Sequence, residues 1–344
     1  MEKRGDAAVE GSRKLNRRDF VRGALAAGLA AGAVRQLAPR RAAAAQEAGG
    51  SGSIRLGGPI FGDRDIPDPT AREDPEELAL AHRKVGYRAA YCPNVNLQDK
   101  ARIAALRNAF EKHDVVIAEV GRWVNLMDGD PEKRKANLKL VTEGLALAEE
   151  IGALCCVDIA GSYSKEQWFG PHPDNLSEKF FDEAVENARK IIDGVKPKKA
   201  KFCYEMMGWA IPDSPDSYLK LIKAVGREAF GVHLDPCNLV NSPTRFYRNA
   251  DLLGECFDKL GPWIASCHAK DLTWDVEMNV HVREVRPGAG AIDYGTYLKR
   301  LAALPQAGTR QGPPLMIEHL SSAEEYDQAR LHIMDVGKKL GIRF

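Results

Sequence analysis

The segment GVHLDPCN, residues 231–238, begins as a buried strand yet carries two ionisable side chains. Val232 and Leu234 are its apolar positions, and His233 and Asp235 alternate with them. Because successive side chains of a strand point to opposite faces, His233 and Asp235 lie on the same face. Burying them without partners would cost several kcal/mol. The segment therefore predicts that another side chain, a metal ion or a substrate receives this pair.

Seven further apolar runs of similar length occur after residue 53, separated by longer segments with helical periodicity. The eight runs in chain order are IRLGGPIF, YRAAYCP, VVIAEVG, CCVDIAG, KFCYEMM, FGVHLDP, IASCHAKDL and PLMIEHL. Strands that alternate with helices form a parallel sheet, and eight such units close into a barrel. The sequence thus predicts the α/β class, with a single (β/α)8 TIM barrel over residues 54–344.

The segments between these strands carry helix start signals. A capping residue precedes a proline at Asp74-Pro75, Asp130-Pro131 and Ser214-Pro215, which predicts three helix N-termini. The run SSAEEYDQARL has serines three residues before glutamates, which is the capping-box pattern. The spacing is least regular between the seventh and eighth strands, where TWDVEMNVHVREVRPGAGA predicts a long loop.

Each of the last four strands ends with a residue that can bind a metal ion. These residues are Glu205, Asp235, His268 and Glu318. The carboxyl ends of barrel strands meet above the barrel, so we expect the four side chains to converge. Three carboxylates at that distance need a counter-charge, which a divalent cation supplies. Three oxygen donors and one nitrogen suit Mn²⁺, Mg²⁺, Co²⁺ or Fe²⁺ better than a structural zinc site.

Eight such units, with Glu205, HLD, HAKD and IEH at the ends of strands five to eight, resemble the xylose isomerase-like barrel superfamily. This superfamily includes sugar-phosphate isomerases, ketose 3-epimerases, hydroxypyruvate isomerase, inosose dehydratase and endonuclease IV-type nucleases. The resemblance covers the whole chain after residue 45. It implies that Glu205, Asp235, His268 and Glu318 bind one divalent ion, with Mn²⁺ favoured. It also implies that Glu205 and Glu318 are the acid–base pair.

The chain departs from the ketose 3-epimerases at two positions. Those enzymes have a histidine three residues after the aspartate and a substrate-binding arginine six residues after the metal histidine; this chain has Asn238 and Trp274 there. We expect His281 and Arg283, in the long loop, to replace the missing groups, with Asn238 also facing the substrate. The run RPGAGAIDY resembles the G-x-G-x-I/L-D-Y/W segment of the superfamily, which leads into the following helix.

Four more side chains are candidates around the predicted metal. Lys270 either binds a substrate oxygen or pairs with Asp271 or another carboxylate. His233 either orients a carboxylate ligand from one layer deeper in the barrel or is a hydrogen-bonded core histidine. Trp123 and Trp168 follow the third and fourth strands and either offer apolar faces to a sugar ring or pack in the loops.

Residues 1–45 are predicted to be a twin-arginine export signal. NRRDFVRGALAAGLAAGAV has Arg17 and Arg18, then Phe20, then a weakly apolar Ala/Gly run, and RRAAAAQ offers a cleavage site near Ala45. The pattern resembles S/T-R-R-x-F-L-K. The Ala/Gly run is shorter than the roughly 20 residues of a membrane-spanning helix, so we expect no membrane span in the mature chain. We expect a periplasmic or otherwise exported protein, with a flexible linker at residues 46–53.

The charge balance argues against nucleic-acid binding. The chain has 49 Lys and Arg against 48 Asp and Glu. The first 45 residues hold ten of the basic and four of the acidic residues. The remainder therefore has 39 against 44, a net charge of −5. A nucleic-acid-binding surface needs a basic patch instead.

The cysteines predict buried thiols more than a disulfide framework. There are seven, an odd number, and no CxxC pair occurs. Four of them, Cys155, Cys156, Cys203 and Cys267, lie inside the apolar strand runs. Free cysteine behaves there as a small core residue.

These residues favour a metal-dependent isomerase or epimerase that acts on an unphosphorylated sugar or keto-sugar through an enediolate. A second hypothesis is a lyase, in which the same enolate expels the aglycone of a 3-keto glycoside. A third is a sugar- or metal-binding barrel without catalysis, although a binding protein has no need of two paired bases. The sequence leaves open whether the chain forms a homo-oligomer or binds a small partner subunit.

Overall fold

The structure, a computed structural model, describes residues 52–305 and 312–344. The predicted export signal and the first part of the predicted linker lie outside the described residues. The last two linker residues already belong to the folded body. Ser53 forms a bridge with Arg343, and the Arg343 N–H donates to the Gly52 carbonyl at 3.0 Å.

Eight parallel strands form the predicted closed barrel. They are β1 Leu56–Gly57, β2 Ala89–Tyr91, β3 Val116–Gly121, β4 Cys155–Asp158, β5 Lys201–Glu205, β6 Phe230–Leu234, β7 Ile264–Ala269 and β10 Leu315–Ile317. Around the barrel their order is β1-β10-β7-β6-β5-β4-β3-β2. The long loop before β10 contains a separate antiparallel hairpin, formed by β8 Asp271–Asp275 and β9 His281–Val285. The prediction of a single (β/α)8 barrel is confirmed.

Eight helices alternate with the barrel strands. They are α1 Pro75–Val85, α2 Lys100–Lys112, α3 Pro131–Ile151, α4 Glu178–Val195, α5 Pro215–Val225, α6 Asn249–Leu260, α7 Tyr294–Ala302 and α8 Ala323–Lys339. Shorter helical segments cover Gly62–Asp65, Pro69–Ala71, Pro173–Leu176, Cys237–Leu239, Pro243–Tyr247 and Gly261–Trp263. Within the described ranges, none of the helices is both long and apolar enough to cross a membrane.

The predicted helix starts are confirmed by their capping hydrogen bonds. The side chains of Asp74, Asp130 and Ser214 each accept from backbone N–H groups in the first turn of α1, α3 and α5. Ser322 caps α8 by accepting from the Glu325 N–H. These side chains satisfy N–H groups that have no partner within the helix.

The apolar core lies both inside the barrel and between the barrel and the helices. Two apolar groups pack inside the barrel: Ala89, Val116, Ala118 and Met316, and then Cys155, Val157 and Cys203. The larger aromatic side chains, including Phe110, Phe180 and Tyr218, pack between strands and helices. All seven cysteines are free and six are buried, which confirms the prediction of buried thiols.

The GAG turn after the hairpin is built around one buried carboxylate. Asp271 accepts backbone hydrogen bonds of 2.8 to 3.1 Å from Leu272, Gly288, Gly290 and Ile292. A Cβ atom on Gly290 would lie 2.3 Å from Asp271 Oδ1 and 2.5 Å from the Leu272 carbonyl oxygen. The run RPGAGAIDY therefore wraps the Asp271 carboxylate and leads into α7, the helix that follows.

We expect Gly290→Ala to lower the free energy of unfolding by about 1–3 kcal/mol, because the added methyl group must displace backbone atoms. Urea unfolding followed by circular dichroism measures the change. Gly194→Ala in α4 is the control, since its methyl group would make only an ordinary 3.5 Å contact with Thr142. Equal stability of Gly290→Ala and the unmodified protein would contradict this account of the turn.

Candidate metal centre

The barrel brings together the four residues predicted to bind a metal ion. Glu205 ends β5, His268 lies in β7, and Asp235 and Glu318 directly follow β6 and β10. Their ligand atoms all lie within 4.8 Å of one another. His268 Nδ1 is 2.7 Å from Glu318 Oε1, 3.2 Å from Glu205 Oε1 and 3.7 Å from Asp235 Oδ2. We call Glu205, Asp235, His268 and Glu318 the four-residue cluster.

Lys270 pairs with the three carboxylates of this cluster. Its Nζ lies 2.6 Å from Glu318 Oε1, 2.8 Å from Asp235 Oδ2 and 3.8 Å from Glu205 Oε1. It makes no such pair with Asp271, whose carboxylate instead accepts from backbone N–H groups. Of the two predicted alternatives for Lys270, the structure therefore shows the ion pair with neighbouring carboxylates.

Burial and charge act unequally on the acidic groups of the cluster. Burial raises the pKa of Glu205 to about 7. Burial opposes the ionisation of Glu318 as well, but the nearby charges of His268 and Lys270 overcome it and lower the pKa of Glu318 to about 2. The same two groups lower the pKa of Asp235 against its burial, and the carboxylates raise the pKa of His268. Positive charge is thus what keeps Asp235 and Glu318 ionised.

The donor set fits a divalent cation. Asp235 Oδ1 accepts from the Cys237 N–H at 3.0 Å, so Oδ2 faces the centre, where Lys270 Nζ lies 2.8 Å from it. Among the described residues, Asp235 Oδ2 and Glu318 Oε1 are buried and make no hydrogen bond of normal geometry. Donor atoms about 2.0–2.2 Å from one cation lie roughly 2.8–3.6 Å apart, and the three carboxylate oxygens lie 2.7 to 3.7 Å from His268 Nδ1. Glu205, Asp235, His268 and Glu318 could therefore hold a metal ion.

Glu119 is a buried residue of the site that sequence reasoning missed. Its Oε1 lies 3.1 Å from His268 Nε2, and its Oε2 accepts from Ser266 Oγ at 2.8 Å. An N–H on Nε2 that donates to Glu119 leaves the Nδ1 lone pair for the cluster, the usual arrangement behind a metal-binding histidine. The signal was an acidic residue inside the apolar run VVIAEVG. A shift in the β2–β3 register, between Ala90 and Tyr91, precedes the Tyr91–Glu119 pair.

His233 lies below the cluster, as its place on the strand predicted, beside His268 and the Glu119 carboxylate. Its ring packs edge-on against His268 with 4.0 Å between centroids, and its Nδ1 is 3.4 Å from Glu119 Oε2. Neither ring nitrogen makes a hydrogen bond within the described part of the chain. Burial lowers the pKa of His233 to about 4, so the ring is neutral at physiological pH.

Two other predicted substrate-binding residues, Asn238 and Trp123, adjoin the cluster. Asn238 Nδ2 donates to Glu205 Oε1 at 3.2 Å and to the Met206 carbonyl at 3.0 Å. The Trp123 ring lies 6.4 Å from the His268 ring, centroid to centroid, and is 41% exposed. Trp168 packs against Phe169 with centroids 5.2 Å apart, and no contact joins it to the cluster in the described structure.

The structure does not bring His281 and Arg283 to the cluster. Both lie on β9, and both side chains are more than half exposed. His281 Nε2 is 3.3 Å from Glu277, and Arg283 Nε is 3.2 Å from Asp275. They pair within the hairpin, so the expectation that they replace the missing histidine and arginine finds no support in these contacts.

The next residue of β9, Glu284, is linked to the cluster through His319. Glu284 lies 3.3 Å from His319 Nδ1, and His319 Nε2 lies 3.5 Å from Glu318 Oε2. Strand alternation explains the difference, since residues 281 and 283 share one face and residue 284 occupies the other. His319 has a left-handed backbone with φ of 58°, a conformation that the sequence did not signal.

Solved structures with the same fold include sugar epimerases. A xylose isomerase-like TIM barrel protein from Mycobacterium smegmatis in complex with magnesium is 19% identical; the match covers 83% of this chain and 97% of that one, with a TM-score of 0.57. The 3-keto-D-glucoside 4-epimerase from E. coli is 13% identical, with 82% and 100% covered and a TM-score of 0.56. D-psicose 3-epimerase from Clostridium cellulolyticum H10 is 14% identical, with 78% and 94% covered and a TM-score of 0.55.

At these identities the structural matches show the fold. A comparison with curated protein sequences gives no significant match. The sequence profile of the xylose isomerase-like TIM barrel family matches residues 81–334, most of the chain and seven of the eight barrel strands. The chain belongs to the xylose isomerase-like TIM barrel family.

Proposed function

We propose that this protein is a divalent-metal-dependent isomerase or epimerase of an unphosphorylated sugar or keto-sugar. The observation that carries the proposal is the convergence of three buried carboxylates and one imidazole within 4.8 Å at the carboxyl ends of neighbouring strands. Barrel enzymes have their active sites at this end. The magnesium complex and the two sugar epimerases of the same fold support the metal and the reaction class.

A bound divalent cation would polarise a substrate carbonyl and orient an adjacent hydroxyl group. Glu205 and Glu318 are the proton-transfer groups in this proposal. One takes the proton from the carbon beside the carbonyl, which gives an enediolate. The other returns a proton to the opposite face or to the neighbouring carbon. Their unequal environments, which raise the pKa of Glu205 and lower that of Glu318, suit an acid and a base that act together.

Three further side chains would hold the substrate and the acidic groups in place. Asn238 fixes Glu205 through its hydrogen bond to Oε1. Trp123 offers an exposed aromatic face beside His268, on which a sugar ring can pack. Lys270 is released from its carboxylate contacts once a cation neutralises them, and its ammonium can then stabilise a developing enolate oxygen.

The contacts around the cluster favour an unphosphorylated substrate. Among the described lysines and arginines, Lys270 is the one paired with cluster carboxylates. A phosphate group is usually bound by several positive or N–H groups. Mn²⁺ is our preferred cation, because three carboxylate oxygens and one imidazole suit it.

A lyase that removes the aglycone from a 3-keto glycoside is the second candidate. It would form the same enolate and then expel a β-substituent. The neighbour that acts on a 3-keto-D-glucoside supports this substrate class. Asn238 and Trp274, where ketose 3-epimerases have histidine and arginine, are compatible with another reaction outcome. Export by the twin-arginine route remains part of the proposal, as does the possibility of a homo-oligomer or a small partner subunit.

We expect the metal-free protein to bind one equivalent of Mn²⁺, and Asp235→Ala and His268→Ala to lose this binding. Because the carboxylates raise the pKa of His268, Mn²⁺ competes with the proton on this ring, and affinity should fall as the pH is lowered. Titration calorimetry and metal analysis measure both effects. Asp275→Ala is the control, since Asp275 is an exposed carboxylate that pairs with Arg283 in the hairpin. Full occupancy in both ligand variants would place the metal elsewhere.

We expect Glu205→Gln or Glu318→Gln to slow hydrogen exchange at the substrate carbon by about 10²- to 10⁴-fold, because glutamine keeps an oxygen donor but removes the base. The assay incubates a panel of ketoses and 3-keto glycosides in D₂O at saturating Mn²⁺ and follows deuterium entry by NMR. Release of the aglycone in the same samples would identify the lyase.

Glu277→Gln, at the exposed end of the hairpin, is the matched control and should exchange at the normal rate. If both Glu205→Gln and Glu318→Gln exchange at the normal rate with metal content verified, proton transfer by these glutamates is wrong. The base would then be sought elsewhere, beginning with Lys270.

A further inference from the structure

A second set of metal-binding side chains lies in the barrel below the four-residue cluster. Glu119, Cys155 and His233 come from β3, β4 and β6, and each is at most 1% exposed. Their ligand atoms lie within 4.8 Å of one another, and His233 Nδ1 is 3.4 Å from Glu119 Oε2. The proposed reaction gives neither Cys155 nor His233 a role.

His233 has unmet bonding capacity in this buried place. Both of its ring nitrogens lack a hydrogen bond among the described residues. A buried polar group without a partner is unfavourable, so such groups are rare in folded proteins. The other two members of the set, the Glu119 carboxylate and the Cys155 thiol, offer electron pairs, as the His233 ring nitrogen does. A cation would accept electron pairs from all three groups at once.

Charge balance favours a divalent cation. A coordinated cysteine loses its proton, so Glu119 and Cys155 would together contribute two negative charges. One divalent ion would neutralise both charges in a part of the barrel where Glu119 and Cys155 are buried from solvent. The 3.4 Å separation of His233 Nδ1 and Glu119 Oε2 also matches the edge of a tetrahedral site with bonds of about 2.1 Å.

The donors of the two sites differ in kind. The upper cluster offers three carboxylates and an imidazole, whereas the lower set offers one thiolate, one imidazole and one carboxylate. Thiolate and imidazole favour Zn²⁺ and its cobalt substitute over Mn²⁺ or Mg²⁺. The lower set therefore selects a softer ion than the upper cluster.

We propose that Glu119, Cys155 and His233 form a second, buried cation site that binds Zn²⁺, directly below the upper Mn²⁺ site, with His233 also within 4.8 Å of ligand atoms of Glu205 and His268. Glu119 connects the two sites, because its Oε1 lies within hydrogen-bond distance of His268 Nε2 and its Oε2 lies beside His233 Nδ1. An ion in the lower site would fix the Glu119 carboxylate and, through it, the orientation of His268. The site goes beyond the proposed function and does not depend on the sugar reaction.

Cobalt spectroscopy tests the site without an activity assay. The upper cluster has no sulfur ligand, so a thiolate-to-cobalt charge-transfer band can come only from a site with a cysteine. We expect Co²⁺ added to the metal-free protein to produce this band, and Zn²⁺ to bind with a stoichiometry of two. Cys155→Ser should abolish the band and lower the Zn²⁺ stoichiometry from two to one.

Two control variants separate this proposal from the proposed function. Cys156→Ser should keep the band, since Cys156 Sγ faces the Val141 carbonyl of α3 at 3.8 Å. Asp235→Ala should lose the ion bound by the four-residue cluster and keep the charge-transfer band. Cobalt binding to the unmodified protein without a charge-transfer band would overturn the proposal, and that result needs no variant to fold. A band that persists in Cys155→Ser would overturn it as well.

Discussion

Repulsion among three buried carboxylates is the constraint on which the upper site depends. Glu205, Asp235 and Glu318 place oxygen atoms within 4.8 Å of one another and of His268. Negative charges so close cannot all persist in a buried site without positive charge beside them. In the protein alone, His268 and Lys270 provide it. A divalent cation would provide it in their place, which is why the proposed metal and the position of Lys270 belong to one argument.

The barrel topology makes this arrangement possible. Strands β5, β6, β7 and β10 are neighbours in the closed sheet, so their carboxyl ends lie side by side. Below them, Glu119 connects His268 to the interior, where Cys155 and His233 complete a second donor set. Polar groups thus occupy two successive levels of the barrel, and apolar side chains of β2, β3, β4, β5 and β10 pack beside them.

Much of the fold could be predicted from local patterns in the sequence. Apolar runs separated by capped helices specify strands and helices, and eight such units specify the barrel. The convergence of Glu205, Asp235, His268 and Glu318 could be predicted because all four follow from one rule about strand ends. The positions of side chains that depend on irregular strand pairing could not be predicted. Glu119 follows a shift in the β2–β3 register. Glu284 lies on a hairpin that the sequence did not predict, on the strand face opposite to that of His281 and Arg283.

Anomalous X-ray diffraction at the manganese edge, from crystals grown with and without Mn²⁺, tests the central claim most directly. The account predicts one manganese peak bounded by Glu205, Asp235, His268 and Glu318, with Lys270 Nζ moved away from Asp235 Oδ2. Without Mn²⁺, Lys270 should remain within ion-pair distance of Asp235 and Glu318, as it is here. A manganese peak outside the cluster, or none there with Lys270 still seated among the carboxylates, would contradict the account.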